Sequence, residues 1–222
     1  MLAAIGHVLP IAIAMAFSTV PIMATIVLLL SPNRDRTALP FLIGWVLGLL
    51  VVVSLCVLGA QLIPTPKFGL RPNTAIGIWE TVIGSALIVL AVVSWVRSRR
   101  TTHTEMPAWL RSIDKFGRWP AFGLALLLNV RPKAILLAIA AGLAIRGENL
   151  DLTASAISIG VYVVIAASTV AVPIIVTLAD PARMEPRLVT TQDWLIRNSG
   201  LVTSLIVLLV GVIVLGSGLS RF

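Results

Sequence analysis

The sequence predicts an all-α integral membrane protein: six transmembrane helices arranged as two inverted three-helix repeats, with broken first and fourth helices. Three observations carry that expectation. The chain is 58% hydrophobic and 12% charged, whereas a soluble domain averages roughly 25% charged residues, so its surface suits lipid rather than water. Apolar runs of the roughly 20 residues needed to cross a bilayer recur from end to end, leaving no stretch for a separate soluble domain. Two of those runs, three spans apart, are interrupted at corresponding places by proline beside polar or charged residues.

The spans are expected at 3–30, 38–62, 74–96, 120–145, 153–179 and 199–219. Between them lie "SPNRDR", "PTPKFGLRPN", "RSRRTTHTEMPAWLRSIDKFGR", "RGENLD" and "DPARMEPRLVTTQDWLIRN". Each carries the Pro, Asn, Asp or clustered charge that punctuates apolar segments. The opening "MLAAIGHVLP" lacks a basic leader region and a clear cleavage site, so it reads as a retained first span. One membrane domain, 1–222, follows: a first three-span half at 1–96, a basic loop at 97–119 and a second half at 120–222.

Charge sets the expected orientation. Eleven Lys and Arg residues fall after spans one, three and five, six of them in 97–118, against four on the other side. The positive-inside rule places the richer side in the cytoplasm and both termini outside the cytoplasmic (inner) membrane. Within the large loop, "PAWLRSIDKFGRWP" mixes aromatic and basic residues, as a short helix on the inner leaflet would, or an ordinary anchored connector. The net charge of +8 sits in short loops, where it signals topology and contact with anionic headgroups rather than nucleic acid.

The fourth span holds the chemistry. "LLLNVRPKAILLAIAAG" is apolar except for Arg131 and Lys133, set around Pro132. A charge at the bilayer centre costs about 2.5–3.5 kcal/mol on insertion scales. Beginning the helix at Lys133 would leave about 13 apolar residues before Arg146, too few to cross. Pro132 removes an amide donor and pushes Arg131 out of the α region. Two half-helices joined by an extended Asn129-Val130-Arg131 link are therefore expected, with Lys133 opening the second. Unpaired N–H groups at that half-helix start, together with two cations, suit a sulfate, phosphate or carboxylate. Snorkelling of both charges to the surface is the alternative.

The first span repeats the device with Ser18, Thr19 and Pro21. Pro21 and Pro132 lie 111 residues apart, half the chain length, and an odd number of spans between them inverts one half relative to the other. Paired interruptions of this kind point to a transport site; a backbone kink repaired by Ser and Thr is the alternative. In the fifth span, Ser168 and Thr169 could line the same cavity or simply pack. "GWVLG" at 44–48 allows close helix contact, within the chain or in a homodimer. Glu80, near the outer end of span three, reads as interfacial.

Several functions are disfavoured. Cys56 is the single cysteine, so no intrachain disulfide or thiol relay exists. Mid-span carboxylates are missing, and His7 and His103 lie near ends or in loops, which counts against a divalent-metal carrier and against a proton relay, which generally uses buried carboxylates or histidines. A hydrolase would need a base near Ser18, Thr19 or Ser168, and none is evident. A non-enzyme without cofactor or metal is expected.

The stretches "LLLSPNRDRTALPFLIGWVLGL", "MPAWLRSID", "RPKAILLAIAAGLAI", "ASTVAVPIIV" and "DWLIRNSGLVTSLIVLLVGVIVLGSGL" resemble, in order and nearly end to end, the mycobacterial glycopeptidolipid- and sulfolipid-addressing proteins, within the wider lysine-exporter superfamily. The resemblance implies an actinobacterial inner-membrane protein that moves complex glycolipids toward the cell surface. That family commonly has Asn-Pro-Lys where this chain reads Arg131-Pro132-Lys133, with Asn129 two places earlier. The Pro and Lys carry over; the asparagine position does not, so a more anionic substrate is a consequence to test. Expected partners are anionic or glycosylated membrane lipids and lipid-synthesis or export proteins. The alternatives are a small-solute (amino-acid or organic-anion) exporter and a non-transporting scaffold for lipid assembly.

Overall fold

The computed structural model describes residues 2–61, 72–100, 117–147 and 151–220. The described residues form α1 (Leu2–Ala16), α2 (Thr19–Leu30), α3 (Arg34–Gln61), α4 (Pro72–Arg100), α5 (Arg118–Leu128), α6 (Pro132–Gly147), α7 (Leu152–Ala179) and α8 (Pro181–Leu219). No strand occurs among them. The segment expected to lie on the inner leaflet falls mostly outside the described residues.

Among the described residues, four helices are long and apolar enough to cross a membrane: Arg34–Ala60, Gly77–Val96, Leu152–Ala179 and Gly200–Leu219. The number rises to six if each of two bent pairs is one span. In the first pair α1 meets α2 at 47°, and in the second α5 meets α6 at 61°. A 27-residue helix spans about 40 Å at 1.5 Å per residue, more than the roughly 30 Å hydrocarbon layer. Leu55, Val89, Val164 and Leu209 are each more than half exposed, giving the bundle the apolar exterior that lipid requires. The protein is a multi-pass membrane protein.

Inside, Phe41 and Trp45 of α3 and Tyr162 of α7 are fully buried. α3 packs on α5 and α6, α7 packs on α1 and α2, and α4 packs along α8. Each bent pair thus rests against a long helix from the other half of the sequence. The α4–α8 contact is made at backbone distance. A Cβ added at Gly84 would lie 2.6 Å from the Leu215 amide nitrogen, and one at Gly211 would lie 2.8 Å from Ile88. Without a large hydrophobic effect between helices in lipid, such small-residue contacts supply the packing.

Two expectations change. The polar run after the fifth span is helix rather than loop: α8 begins at Pro181 and continues to Leu219. Pro181 does not stop it, because it occupies the first position, where no amide donor is needed, and the helix continues through Pro186, which lies inside it. The Asp180 carboxylate caps that start, accepting from the Arg183 amide at 3.3 Å. Thr190 and Thr191 then donate back to the carbonyls of Pro186 and Arg187. The second change is Glu80, which is 3% exposed and packed inside the bundle instead of facing the interface.

Candidate functional site

The break between α5 and α6 is built by its own sequence. Asn129 stays in the α region (φ −78°, ψ −15°). Its amide and that of Val130 donate to the carbonyls of Leu126 and Leu127 at 3.0 and 3.1 Å, tightening the last turn. The Asn129–Arg131 link is therefore a compact turn, not the extended link the sequence suggests, because the Asn129 and Val130 amides still find partners in the preceding helix. α6 then opens at Pro132, one residue earlier than expected. Arg131 acts as its cap residue, its carbonyl accepting from the Ile135 amide at 2.9 Å. Proline at the first helical position forfeits no hydrogen bond and holds the dihedral that a helix start requires.

Asn129 is 1% exposed. Its Nδ2 donates to the Ala125 carbonyl at 3.0 Å, which turns Oδ1 away, and Oδ1 is buried without a hydrogen-bond partner among the described residues. The amide lies directly on Gly48 of α3, where a Cβ would run into Asn129 Nδ2. Gly44, one turn earlier, lies against the Phe122 carbonyl in the same way, at 2.6 Å for an added Cβ. The "GWVLG" motif therefore seats the second break against α3 within the chain.

Lys133 is the second orphan. Its Nζ is buried with no hydrogen-bond partner among the described residues. Arg131 and Lys133 are both partly buried as residues, yet the two cations expected to act together differ: the Lys133 ammonium is enclosed without a partner among the described residues, and no guanidinium nitrogen of Arg131 is. A buried ammonium left unpaired is costly, so its retention in a native bundle needs a physical reason.

The break between α1 and α2 falls at Phe17–Ser18. Ser18 is extended (φ −73°, ψ 114°) and makes no side-chain cap bond. Pro21 does not itself break the helix; it sits in the first turn of α2, where proline is tolerated. Its carbonyl accepts from Thr25 Oγ1 at 2.8 Å. Thr19 is buried. Thr169 of α7 reaches this break, donating from Oγ1 to the Ala16 carbonyl at 2.6 Å. Ser168 instead turns back to the Ile165 carbonyl of its own helix at 2.7 Å. Of the residues singled out in the sequence, Asn129 and Lys133, on either side of the second break, each hold a buried polar atom without a hydrogen-bond partner among the described residues, and Thr169 joins the first break. Pro21 and Pro132 shape helix starts.

Sequence reasoning missed three further buried polar atoms. Tyr162 OH, Trp45 Nε1 and Thr177 Oγ1 have no hydrogen-bond partner among the described residues. One signal was available: Tyr162 is the chain's single tyrosine and stands well inside an apolar span.

A family model described as "Sap, sulfolipid-1-addressing protein" matches residues 8–220. No curated protein and no solved structure matches the chain.

Proposed function

The chain belongs to the sulfolipid-1-addressing protein family, and from that premise we propose that it moves an anionic, glycosylated lipid across the cytoplasmic membrane, or assists its export, without enzymatic chemistry. The observation that carries this reading is the pair of unsatisfied groups at the second break, Lys133 Nζ and Asn129 Oδ1. One is a cation with three donors, the other an acceptor. A sulfated sugar complements both: its anionic oxygens would take the ammonium's hydrogen bonds, and a hydroxyl would donate to the asparagine. The α6 start adds unpaired amides and a partial positive charge. Arg131, at the edge, would meet the anion as it enters.

On this reading each bent pair is one span, giving six spans in two inverted three-span halves. The exchange of packing partners between the halves supports that arrangement. Both termini lie outside and the basic loop 97–118 lies in the cytoplasm, where it could meet lipid-assembly proteins. The headgroup enters between the halves while its acyl chains remain in lipid, and the halves rock to expose it outward. No nucleotide-binding loop occurs in the sequence, so the energy comes from a gradient, a partner or the lipid's own concentration difference.

Deleting the gene in its host and comparing surface-extractable with total lipids tests this. The wild-type gene should restore the surface fraction of an anionic glycolipid; Lys133→Met and Asn129→Ala should not. Unchanged surface lipids on deletion would reject lipid export. Full rescue by both variants would favour a scaffold. A second reading, export of a small organic anion in the manner of lysine exporters, draws on the same buried ammonium, which takes a carboxylate as readily as a sulfate. Efflux of labelled amino acids from reconstituted vesicles distinguishes it.

A further inference from the structure

A second buried polar locus lies along α6 from the break. Glu80 of α4 is 3% exposed, and with His7 of α1 and Ser217 of α8 it lines a cavity of about 10 Å³ floored by Ala140 and Ala144 of α6. That space admits about one water molecule. Four helices from both halves of the chain therefore converge on a carboxylate, an imidazole and a hydroxyl.

The cavity shares a helix face with the proposed headgroup site. Lys133, Ala140 and Ala144 stand at i, i+7 and i+11, which bring residues onto one side of a helix of 3.6 residues per turn. At 1.5 Å per residue the cavity lies about 10–17 Å along α6 from Lys133. Alanine at both lining positions keeps that face low. Charges nearby are few. α1 carries no other titratable group, α4 none besides Glu80 until Arg97, and α8 none between Arg197 and its end. On α6, Arg146 follows Ala144 by two residues.

An ionisable group inside a membrane bundle has a functional reading by default, and carboxylate–histidine pairs are the usual proton carriers of transporters. We propose that Glu80 and His7 form a proton-exchange site whose loading and unloading accompanies movement of the anionic lipid at Lys133. The inference rests on the lipid-export reading and supplies its energy source. In the step itself the pair accepts one proton from water at one face, raising its net charge by one, and returns that proton to water at the other. No covalent bond to carbon, redox partner or cofactor takes part.

The test uses the full chain in phosphatidylcholine–phosphatidylglycerol vesicles carrying a trace of fluorescent sulfated galactosylceramide. Crossing of the lipid is read by surface quenching, and proton movement by a dye in the lumen. A pH gradient of about one unit should change the wild-type crossing rate several-fold, with matching proton movement. Glu80→Gln should abolish the response to the gradient while still binding the lipid. His7→Gln, a milder change should Glu80→Gln fail to fold, should displace the pH midpoint of the response. Wild-type crossing indifferent to the gradient, or either folded variant responding as wild type does, overturns the proton site and leaves lipid export standing. Absence of lipid crossing in wild type overturns both.

Discussion

Replacing Lys133 with methionine separates a residue kept for binding from one kept for packing. Methionine roughly matches the lysine stem in volume and can follow the same path. It removes an ammonium whose Nζ is buried without a partner among the described residues. Burying a polar group unsatisfied costs about 1–3 kcal/mol in protein mutational data. Removing that penalty should stabilise the protein by the same amount. For a chain of this size each kcal/mol moves the unfolding midpoint by about 2–4 °C, so a rise of several degrees is expected for the detergent-solubilised variant. Binding of a sulfated glycolipid should move the other way. A hydrogen bond to a charged group contributes about 1.5–3 kcal/mol, and about 1.4 kcal/mol is tenfold in affinity, so binding should weaken by roughly 10–100-fold. The paired readout is a thermal melt with and without the lipid: Lys133→Met melts higher alone and gains less from lipid. A variant that melts lower than wild type yet binds equally well would mean that Lys133 is satisfied in the native bundle, and the headgroup site at the second break would be lost.

Gly48→Ala should lower stability by about 1–3 kcal/mol through overpacking against Asn129, and Asn129→Ala in the same chain should recover much of it; thermal melts of the two single variants and the double variant read the coupling. Thr169→Val strands the Ala16 carbonyl at the first break and should cost about 1–3 kcal/mol, with faster amide exchange around Phe17–Ser18 as the local signature. Asp180→Ala removes the cap of α8 and should cost about 1 kcal/mol, seen as faster exchange over residues 181–186 while Gly200–Leu219 is unaffected. In a Cys56→Ser background, Thr104→Cys should react with an impermeant maleimide only after the cells are opened, and Asn149→Cys should react in intact cells. The reverse pattern would invert the proposed orientation.

Both breaks were legible because proline beside charge or hydroxyl inside an apolar run marks where a buried helix starts afresh. The positions of the long helices followed from length and hydropathy alone. What escaped was whatever depends on neighbours. Glu80 looks interfacial from its place near a span end, and only packing among four helices puts it inside. Asn129 was singled out in the sequence beside the break, but its seat was not: Gly48 of a distant helix lets the amide lie against the backbone. The polar first half of α8 reads as loop because charge and proline dominate its composition, yet Pro181 is the helix's first residue, after an aspartate that caps it, and the helix runs on through Pro186. Arg131 and Lys133 look equivalent in sequence, and only the packed bundle shows that the Lys133 ammonium is the one enclosed without a partner among the described residues.

The glycine-lined crossing of α4 and α8 bears on how the two halves can move. Sliding one helix along the other would force Leu215 and Ile88 over ground where main chain meets main chain, while pivoting about the line of contact disturbs neither. On the export reading that seam is the fulcrum, and because α2 rests on α8 and α6 rests on α4, one arm of each bent pair is seated against it.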